Sequence, residues 1–456
     1  MPSRPVLTRR WSPALVLLLL LLGTLWVAGG ASHADVTGQV ITRGATWTLF
    51  VLAILLGVRP VVAGAGAAFW LLLATVLLVL LQLVPLPPNI WTALPGRDVL
   101  LGASPSETVW RPWAIVPSAT INAASSLIVP VVTLILVTAL CNEEKTWLPT
   151  ILLGIIFCSM LVGLLQFSGF VLDNPFINDT VGSISGTFAN RNHFALFLAI
   201  GCLITPVWAF AGKQSAGKQG VGWRAPVALA LMTLFALTIL ATGSRAGMLT
   251  GMLALALGLA LCWHDVRRAL RGAPRWVFPA LIVAIIGGVA LFVLVSIAAD
   301  RAESVRRAFE VDPGQDMRTR GLPTVLSMIA AYFPAGAGFG GFDPIFRLHE
   351  PFGLLKPTYF NHAHNDFLEV VLDGGLPAVL LLLLAIGWYA IASLRAWRAN
   401  GQHSVLPKLG SAMLLLVFVA SAFDYPARTP MMMAMIVIAA IWLCQNKTPP
   451  IKAGFT

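Results

Sequence analysis

Long runs of apolar residues with almost no charge constrain this chain more than any other feature of its sequence. Residues 14–30 and 69–84 are two such runs, and the mean hydropathy over all 456 residues is +0.84. A helix needs about 20 mostly apolar residues to cross the hydrocarbon core of a bilayer. Only 11% of the residues are charged, and no polar block large enough for a soluble domain interrupts the runs. The chain is therefore predicted to be a polytopic membrane protein.

The hydropathy pattern predicts an all-α fold with about 12 transmembrane helices, in one integral membrane domain covering residues 1–456. The predicted spans are residues 12–30, 45–59, 61–84, 119–141, 147–171, 193–211, 225–242, 246–263, 277–299, 375–394, 409–424 and 430–445. The first span has an alternative interpretation as a signal peptide, because Arg9 and Arg10 precede it and Ser32-His33-Ala34 follows it. We prefer a span, because removing it would leave an odd number of helices and misplace the basic residues.

The positions of Lys and Arg predict the orientation of these spans. With twelve spans, the loops on one side hold 17 of the 30 basic residues but only three of the 19 acidic residues. Cytoplasmic loops of membrane proteins carry an excess of Lys and Arg. That side, with both chain termini, is therefore predicted to be cytoplasmic. The net charge of +11 then indicates topology and not nucleic-acid binding.

Two long segments fall on the opposite, outer face. Residues 85–118 form a loop rich in Pro and Trp, and residues 300–363 form a segment too long for a plain connection. Within the second segment, residues 300–310 have the pattern of a helix that lies at the membrane interface. Residues 323–333 are apolar but too short to span, which predicts an interfacial or re-entrant helix.

A glycine-rich stretch, PAGAGFGGFDP, covers residues 334–344 of that outer segment. Gly336, Gly338 and Gly341 match the pattern G-x-G-x-x-G, but no βαβ unit surrounds them and they face outward. Dinucleotide binding is therefore the weaker interpretation. The glycines are predicted to form a bend that allows close backbone approach by a ligand or a helix.

Three arginines stand out on the outer face: Arg191, Arg245 and Arg318. Each could be an interface anchor whose charge reaches out of the bilayer. Arg191 and Arg245, however, each begin a predicted membrane helix, and Ser244 is a plausible N-cap of the second. A helix N-terminus already favours an anion, and a guanidinium beside it suits phosphate oxygens. The pattern therefore predicts an anion site.

Polar chemistry is concentrated in YFNHAHNDFLEV, residues 359–370. In one interpretation, Asn361 or His362 caps the next membrane helix. In a second, His362, His364 and Asp366 are metal ligands. In a third, a neutral imidazole accepts a proton from a sugar hydroxyl as a general base. The spacing of the residues does not choose between His362 and His364 as that base.

The stretch HAHNDFLEVVLDGGLPA resembles the signature of the O-antigen ligase family, which also includes O-antigen polymerases and protein O-oligosaccharyltransferases. The signature has a His-Asn pair, here His364-Asn365, and a glycine after nine further residues, here Gly375. Ala378 departs mildly from it. GTFANRNHFA, TGSRAG and SAFDYPARTPMMMA are similar to other segments of the family, so the resemblance extends over residues 160–435.

This resemblance implies a multi-pass glycosyltransferase of the bacterial inner membrane with a periplasmic active site and no metal or other cofactor. The donor would be a glycan on undecaprenyl diphosphate. The acceptor would be lipid A–core for a ligase, or a second lipid-linked glycan for a polymerase. Segments 85–118 and 300–363 would be periplasmic, and the second would contribute to the active site.

The resemblance also implies roles for individual residues. His364 matches the essential histidine, and Arg191, Arg245 and Arg318 match outer-face arginines that would bind the diphosphate. Asn365, Asp366 and His362 would support the site. Either Asp366 or Glu369 is expected to hold the second ring nitrogen of His364. A transporter is disfavoured, because charges within the predicted spans are nearly absent and no internal repeat is visible.

Overall fold

The computed structural model describes most of the chain. The described residues are 11–103, 109–172, 174–177, 182–211, 223–271, 276, 279, 283, 317–355, 360–399 and 404–445. The predicted span at 277–299 lies outside them apart from two single positions, and the predicted interfacial helix at 300–310 lies outside them entirely.

Helices make up nearly all the regular structure of the described residues. The helices are α1 Pro13–Ala28, α2 Thr37–Leu55, α3 Gly66–Leu81, α4 Pro88–Thr92, α5 Asp98–Ala103, α6 Pro117–Ser126, α7 Ile128–Ala139, α8 Asn142–Lys145, α9 Leu148–Phe167, α10 Arg191–Ala211, α11 Arg224–Ala241, α12 Arg245–Arg271, α13 Met317–Tyr332, α14 Phe342–His349, α15 Asp366–Arg398, α16 Val405–Ser421 and α17 Pro430–Cys444. In the outer loop, strand β1 (Pro85–Leu86) pairs antiparallel with β2 (Arg111–Pro112).

The described helices include enough apolar segments to make a membrane domain. Seven segments are long and apolar enough to cross a bilayer: α2, α6 with α7, α8 with α9, α10, α11, α12 and α15. Four shorter apolar helices, α1, α3, α16 and α17, accompany them. The all-α membrane architecture therefore agrees with the sequence, while the total of twelve spans stays a prediction.

Several predicted boundaries differ from the structure, and two helices begin earlier than predicted because hydropathy does not detect polar residues that are satisfied inside the protein. α2 begins at Thr37, eight residues before the predicted start, where buried Gln39 donates to the Ala31 carbonyl. The predicted span at 119–141 is divided into α6 and α7 at Leu127. α15 begins at Asp366, nine residues before the predicted start, with its buried carboxylates paired to Arg428.

α10 is the central helix of the described bundle. In its membrane-crossing part, Arg191–Phe210, 89% of the residues are buried inside the protein. Helices α9, α11, α12 and α16 pack around it. A helix that is apolar on all sides is expected to be surrounded by other helices. The N-terminus of α10 is therefore held in the middle of the bundle.

The helix ends meet in two groups, as expected for helices that cross a membrane alternately. At one end of α1, the Gly29 carbonyl accepts a hydrogen bond from Met431 N at the start of α17 (3.1 Å). At the other end of α1, Ser12 N donates to Glu144 in α8 (2.9 Å). The N-termini of α10, α12 and α15 belong with the first group, which we call the site side. This is the side that the sequence predicts to be the outer one.

A small apolar cluster on the site side holds the outer segment in place. Phe342 and Phe346 of α14 stack with a ring-centroid distance of 5.5 Å, and Phe360 packs against Phe346 at 5.0 Å. Val325 and Met328 of α13 are buried in the same cluster. Because Phe360 lies directly before the histidine stretch, this cluster fixes where the stretch begins. The predicted helix at 323–333 is present as α13 and starts earlier, at Met317.

The glycine bend at 334–344 packs against backbone, so the predicted close approach is to a helix. A side chain on Gly336 would lie 2.6 Å from the Gly375 nitrogen, and one on Gly338 would lie 2.6 Å from Ala114 in the outer loop. Arg97 of that loop donates to the Gly336 carbonyl (3.0 Å). The bend therefore joins the outer loop to α15 immediately beside the site.

Candidate active site

His364 stands at the start of α15 with a constrained backbone. Its φ angle is +50°, and among the described residues it is the sole non-glycine residue with positive φ. Such a conformation costs on the order of 1–3 kcal/mol and is often kept at functional positions. The next residue, Asn365, caps α15 by accepting from Leu368 N (3.1 Å) and donates to the Ala422 carbonyl (3.0 Å). The cap is thus Asn365, and not Asn361 or His362 as one interpretation of the sequence proposed.

Asp424 is the partner of the His364 imidazole. Nδ1 of His364 lies 3.2 Å from Oδ1 of Asp424, which is 1% exposed, while the His364 side chain is 18% exposed. The carboxylate orients the ring by accepting a hydrogen bond from Nδ1–H, which leaves Nε2 as the basic nitrogen. The sequence had suggested Asp366 or Glu369 for this contact. That expectation is wrong, because both carboxylates are bound to Arg428.

The N-termini of α10 and α12 meet at this carboxylate. Asn190 and Asn192 both donate to Oδ2 of Asp424, the first at 3.0 Å. Asn192 also accepts from the Ser244 hydroxyl at 2.6 Å. Ser244 caps α12 through Gly247 N (2.8 Å), which confirms the predicted N-cap.

This arrangement gathers the ends of two helices around one histidine. Arg191 lies between the two asparagines in sequence, and Arg245 follows Ser244. The first residues of both helices are therefore placed next to the His364–Asp424 pair. Two helix N-termini and two arginines create a region that favours an anion.

Arg318 contacts the same acidic residue. Its guanidinium donates to the Phe423 carbonyl (2.9 Å) and lies 3.5 Å from Oδ2 of Asp424. Burial alone would raise the pKa of the Asp424 carboxyl, but the hydrogen bond with His364 and nearby positive charges, including Arg318, bring that pKa well below its ordinary range. Asp424 is therefore an anion at neutral pH, as a partner of an imidazole must be.

Tyr425 packs against three histidines. Its ring centroid lies 4.9 Å from that of His364, 4.3 Å from that of His362 and 5.0 Å from that of His193. Burial, together with the negative charge of Asp424, raises the pKa of the Tyr425 hydroxyl above its usual value. The phenol therefore stays neutral and acts as a packing surface for the imidazoles.

A second cluster, around Arg428, adjoins the one around Asp424. The Arg428 guanidinium is 3.3 Å from Asp366, 3.1 Å from Glu369 and 3.7 Å from Asp373. Burial opposes the charge on Arg428, but the three carboxylates raise its pKa above the ordinary value. Nδ1 of His362 donates to Glu369 Oε1 (2.9 Å), so His362 belongs to this cluster and not to the one around Asp424.

The three side chains of the metal interpretation have different partners. His362 contacts Glu369, His364 contacts Asp424, and Asp366 accepts from the Ser421 hydroxyl at 2.7 Å. Within the described part of the chain, no group of three His, Cys, Asp or Glu side chains is placed to hold a metal ion. The three side chains are therefore not gathered as ligands of one ion.

The structure brings together all seven residues predicted for the site, in two neighbouring clusters. The cluster around Asp424 contains His364 and Arg318, and the helix N-termini at Arg191 and Arg245 lie beside it. Asn365 caps α15. The cluster around Arg428 contains Asp366 and is joined by His362. Sequence reasoning missed five contributors: Asn190, Asn192, Asp424, Tyr425 and Arg428. A signal for Asp424, Tyr425 and Arg428 was present, since SAFDYPARTP combines one acid and one base in a short stretch of an otherwise apolar region.

Comparison with known proteins gives an independent finding on the same segment. No curated protein matches the chain. Residues 229–383 match a family model described as O-Antigen ligase. The matched part contains Arg245, Arg318, the His364-Asn365 pair and Gly375. The match covers about a third of the chain, and this part of the chain is similar to the O-antigen ligase family.

Proposed function

We propose that this protein is a membrane glycosyltransferase that moves a glycan from undecaprenyl diphosphate to a sugar hydroxyl of lipid A–core at the periplasmic face of the inner membrane. The observation that carries the proposal is the His364–Asp424 pair beside the N-termini of α10 and α12. A base and an anion site, side by side, are what a transfer from a diphosphate donor requires. The match of residues 229–383 to the O-antigen ligase family model supports the class of reaction.

The reaction is a single displacement with inversion at the anomeric carbon. Nε2 of His364 removes the proton of the acceptor hydroxyl as the oxygen attacks. The new oxygen–carbon bond forms while the bond from the anomeric carbon to the diphosphate oxygen breaks, and its electron pair leaves with the diphosphate. Asp424 keeps Nε2 basic and stabilises the imidazolium that forms.

The departing diphosphate gains negative charge as the bond breaks. Arg191 and Arg245, with Arg318 at the edge of the site, would bind its oxygens together with the helix N-termini. Fixed donors aimed at developing charge stabilise a transition state more than a ground state. No nucleotide and no metal enter this scheme, because the diphosphate ester already carries the activation energy.

Deletion of the gene, followed by gel analysis of lipopolysaccharide, distinguishes ligase from polymerase. For a ligase we expect the O-antigen ladder to disappear while lipid-linked polymer accumulates. A single repeat attached to lipid A–core would instead indicate the polymerase alternative. Loss of the ladder with the lipid-linked polymer retained on the cytoplasmic side would favour a transporter.

The base is tested with purified protein and a lipid-diphosphate-linked glycan. We expect His364→Ala to lower the transfer rate by on the order of 10²–10⁴-fold. His362→Ala should be milder, because His362 contacts Glu369 and not Asp424. EDTA should have no effect. Equal loss in both variants together with inhibition by EDTA would replace the base with a metal site, and a fully active His364→Ala protein would remove the mechanism.

A further inference from the structure

A second imidazole, that of His193, lies on the far side of Asp424 and has no role in the proposed transfer so far. It is 1% exposed, in the first turn of α10. Its Nε2 lies 3.8 Å from Oδ1 of Asp424, the same oxygen that contacts Nδ1 of His364 at 3.2 Å. The two imidazoles therefore share one carboxylate oxygen.

The polar atoms of His193 are unusual for a buried side chain. Neither ring nitrogen has a hydrogen-bond partner among the described residues. Buried polar groups are nearly always hydrogen-bonded, and an exception calls for a functional or structural reason. His193 borders a small cavity that is also lined by Thr250 and Asp424. Its ring edge packs on Tyr425 at 5.0 Å, which fixes the direction in which Nε2 points.

The charges around His193 determine what this contact does. The groups that face it are the Asp424 anion, the His364 and His362 imidazoles, the Arg318 guanidinium and the neutral Tyr425 phenol. The nearest is the anion, which favours a hydrogen on Nε2. A spacing of 3.8 Å is longer than a hydrogen bond, but contacts in unliganded active sites often shorten when substrate binds.

We propose that His193 is a positioning residue that acts through Asp424. Its Nε2–H draws part of the negative charge of the carboxylate away from His364, and so keeps His364 from holding a proton too tightly to serve as a base. The proposal rests on the proposed function only in the identity of the reaction that His364 performs. The shared oxygen itself is a property of the fold.

The test compares His193→Leu, which removes the N–H, with His193→Gln, which places an amide N–H near the position of Nε2. Thr250→Val is the matched control, because it alters the same cavity without removing a group that faces Asp424, and the Thr250 hydroxyl donates only within its own helix.

Diethyl pyrocarbonate reacts with neutral imidazole. Its rate of reaction at His364, measured across pH by mass spectrometry on the full-length protein in detergent, therefore reports the protonation midpoint of His364 without any transfer assay.

In His193→Leu we expect the midpoint at His364 to rise by about half to one pH unit, because Asp424 then interacts with His364 alone. The acidic limb of the pH profile of kcat/KM should move in the same direction. His193→Gln and Thr250→Val should remain near the wild type. A merely structural role would lower the amount of folded protein without moving the midpoint.

An unchanged midpoint in His193→Leu would overturn the proposal. If His193→Leu is not recovered as folded protein, His193→Met removes the same N–H with an unbranched side chain and is scored in the same way. A wild-type protein that transfers no glycan would overturn the proposed function, whereas the midpoint would still decide the role of His193.

Discussion

At the scale of the residue, one buried carboxylate organises the site. Asp424 accepts hydrogen bonds from His364, Asn190 and Asn192 and lies within ion-pair distance of Arg318. The free-energy cost of burying this anion is small, because hydrogen-bond donors satisfy its lone pairs. The same contacts fix the orientation of the imidazole. A single side chain therefore joins the base to the helix N-termini that would bind the diphosphate.

Asp424→Asn should leave the fold intact and lower the transfer rate by on the order of 10²–10⁴-fold. The amide is isosteric, but it can donate to Nδ1 and so select the tautomer whose Nε2 carries a hydrogen and cannot accept one. The transfer rate of purified protein checks this. Asp343→Asn is the control, since Asp343 forms an exposed pair with Arg347 (2.8 Å) away from the site. Equal rates in both variants would contradict the role of Asp424.

Arg191→Ala and Arg245→Ala should each reduce transfer strongly, by about 10-fold or more, while the protein still inserts. Lysine should restore little activity, because an ammonium is a point charge and does not form the bidentate fork that binds a diphosphate. Rates of the Ala and Lys variants measure this, with Arg347→Lys as the control. Near-normal rates for both Lys variants would mean that the two arginines are interface anchors.

His362, in the cluster around Arg428, should make the stability of the protein depend on pH. Burial lowers the pKa of His362 below its ordinary value of about 6.5, although Glu369 opposes the shift. Between the folded pKa and about 6.5, the unfolded chain binds more protons than the folded protein. Stability should therefore fall as the pH drops below about 6.5, by at most about 1.4 kcal/mol per pH unit from this one group. The apparent Tm, measured by tryptophan fluorescence, should fall less steeply with decreasing pH in His362→Gln than in the wild type. An identical fall in both proteins would contradict the role of His362 in this pH dependence.

At the scale of the element, α15 combines two tasks through one kink. Its first part, from Asp366, carries the carboxylates that bind Arg428, and its second part crosses the membrane. Between these two parts Gly375 has φ +57° and ψ −148°, and the glycine bend at 334–344 packs directly against the backbone of Gly375. The kink at Gly375 thus joins the outer segment to the membrane domain 11 residues after His364.

Gly375→Ala should destabilise the protein and reduce transfer. A Cβ there would lie 2.2 Å from the Pro334 carbonyl and would also force an L-residue into the left-handed region. The matched control is Gly387→Ala in the same helix, where a Cβ meets nothing within 4 Å and helix propensity improves by up to about 1 kcal/mol. The Tm and the transfer rate are to be measured for both variants. A Gly375→Ala protein as stable as Gly387→Ala would show that the bend is not required.

At the scale of the whole molecule, the helices deliver their polar ends to one side. α10, α12 and α15 all begin there, while Glu144 and Ser12 mark the opposite side. The excess of basic residues predicts that the opposite side is cytoplasmic. A lipid-linked donor and a lipid-linked acceptor would therefore meet at the outer face, where both are anchored in the same membrane.

Cysteine labelling tests that orientation. In a background without the five native cysteines, Gly353→Cys should react with a membrane-impermeant maleimide on intact spheroplasts. Gly353 is exposed and a Cβ there meets nothing within 4 Å, so the change is structurally neutral. Arg398→Cys, exposed at the far end of α15, should react only after permeabilisation. The reverse result would place the histidine stretch in the cytoplasm and overturn the proposed function.

The sequence by itself determined the membrane class, the helical fold and the set of residues with unusual chemistry. Apolar runs can cross a bilayer only as hydrogen-bonded helices, and polar residues are so scarce that each one on the outer face becomes informative. The histidine stretch, the two helix-starting arginines and the Ser244 cap follow from that, whereas the choice of His364 rests on the family resemblance. The start of α12 at Arg245 lies one residue from its predicted position.

Only the tertiary structure decided which of these residues act together. Asp424 lies 60 residues from His364 in the chain and 234 from Asn190, and the two nearer carboxylates proved to be bound to Arg428. Hydrophobic periodicity indicates which face of a helix is buried, but α10 is buried on all faces and its sequence does not specify its neighbours. Which helix ends meet is set by packing across the bundle, and the partner of the base follows from that packing.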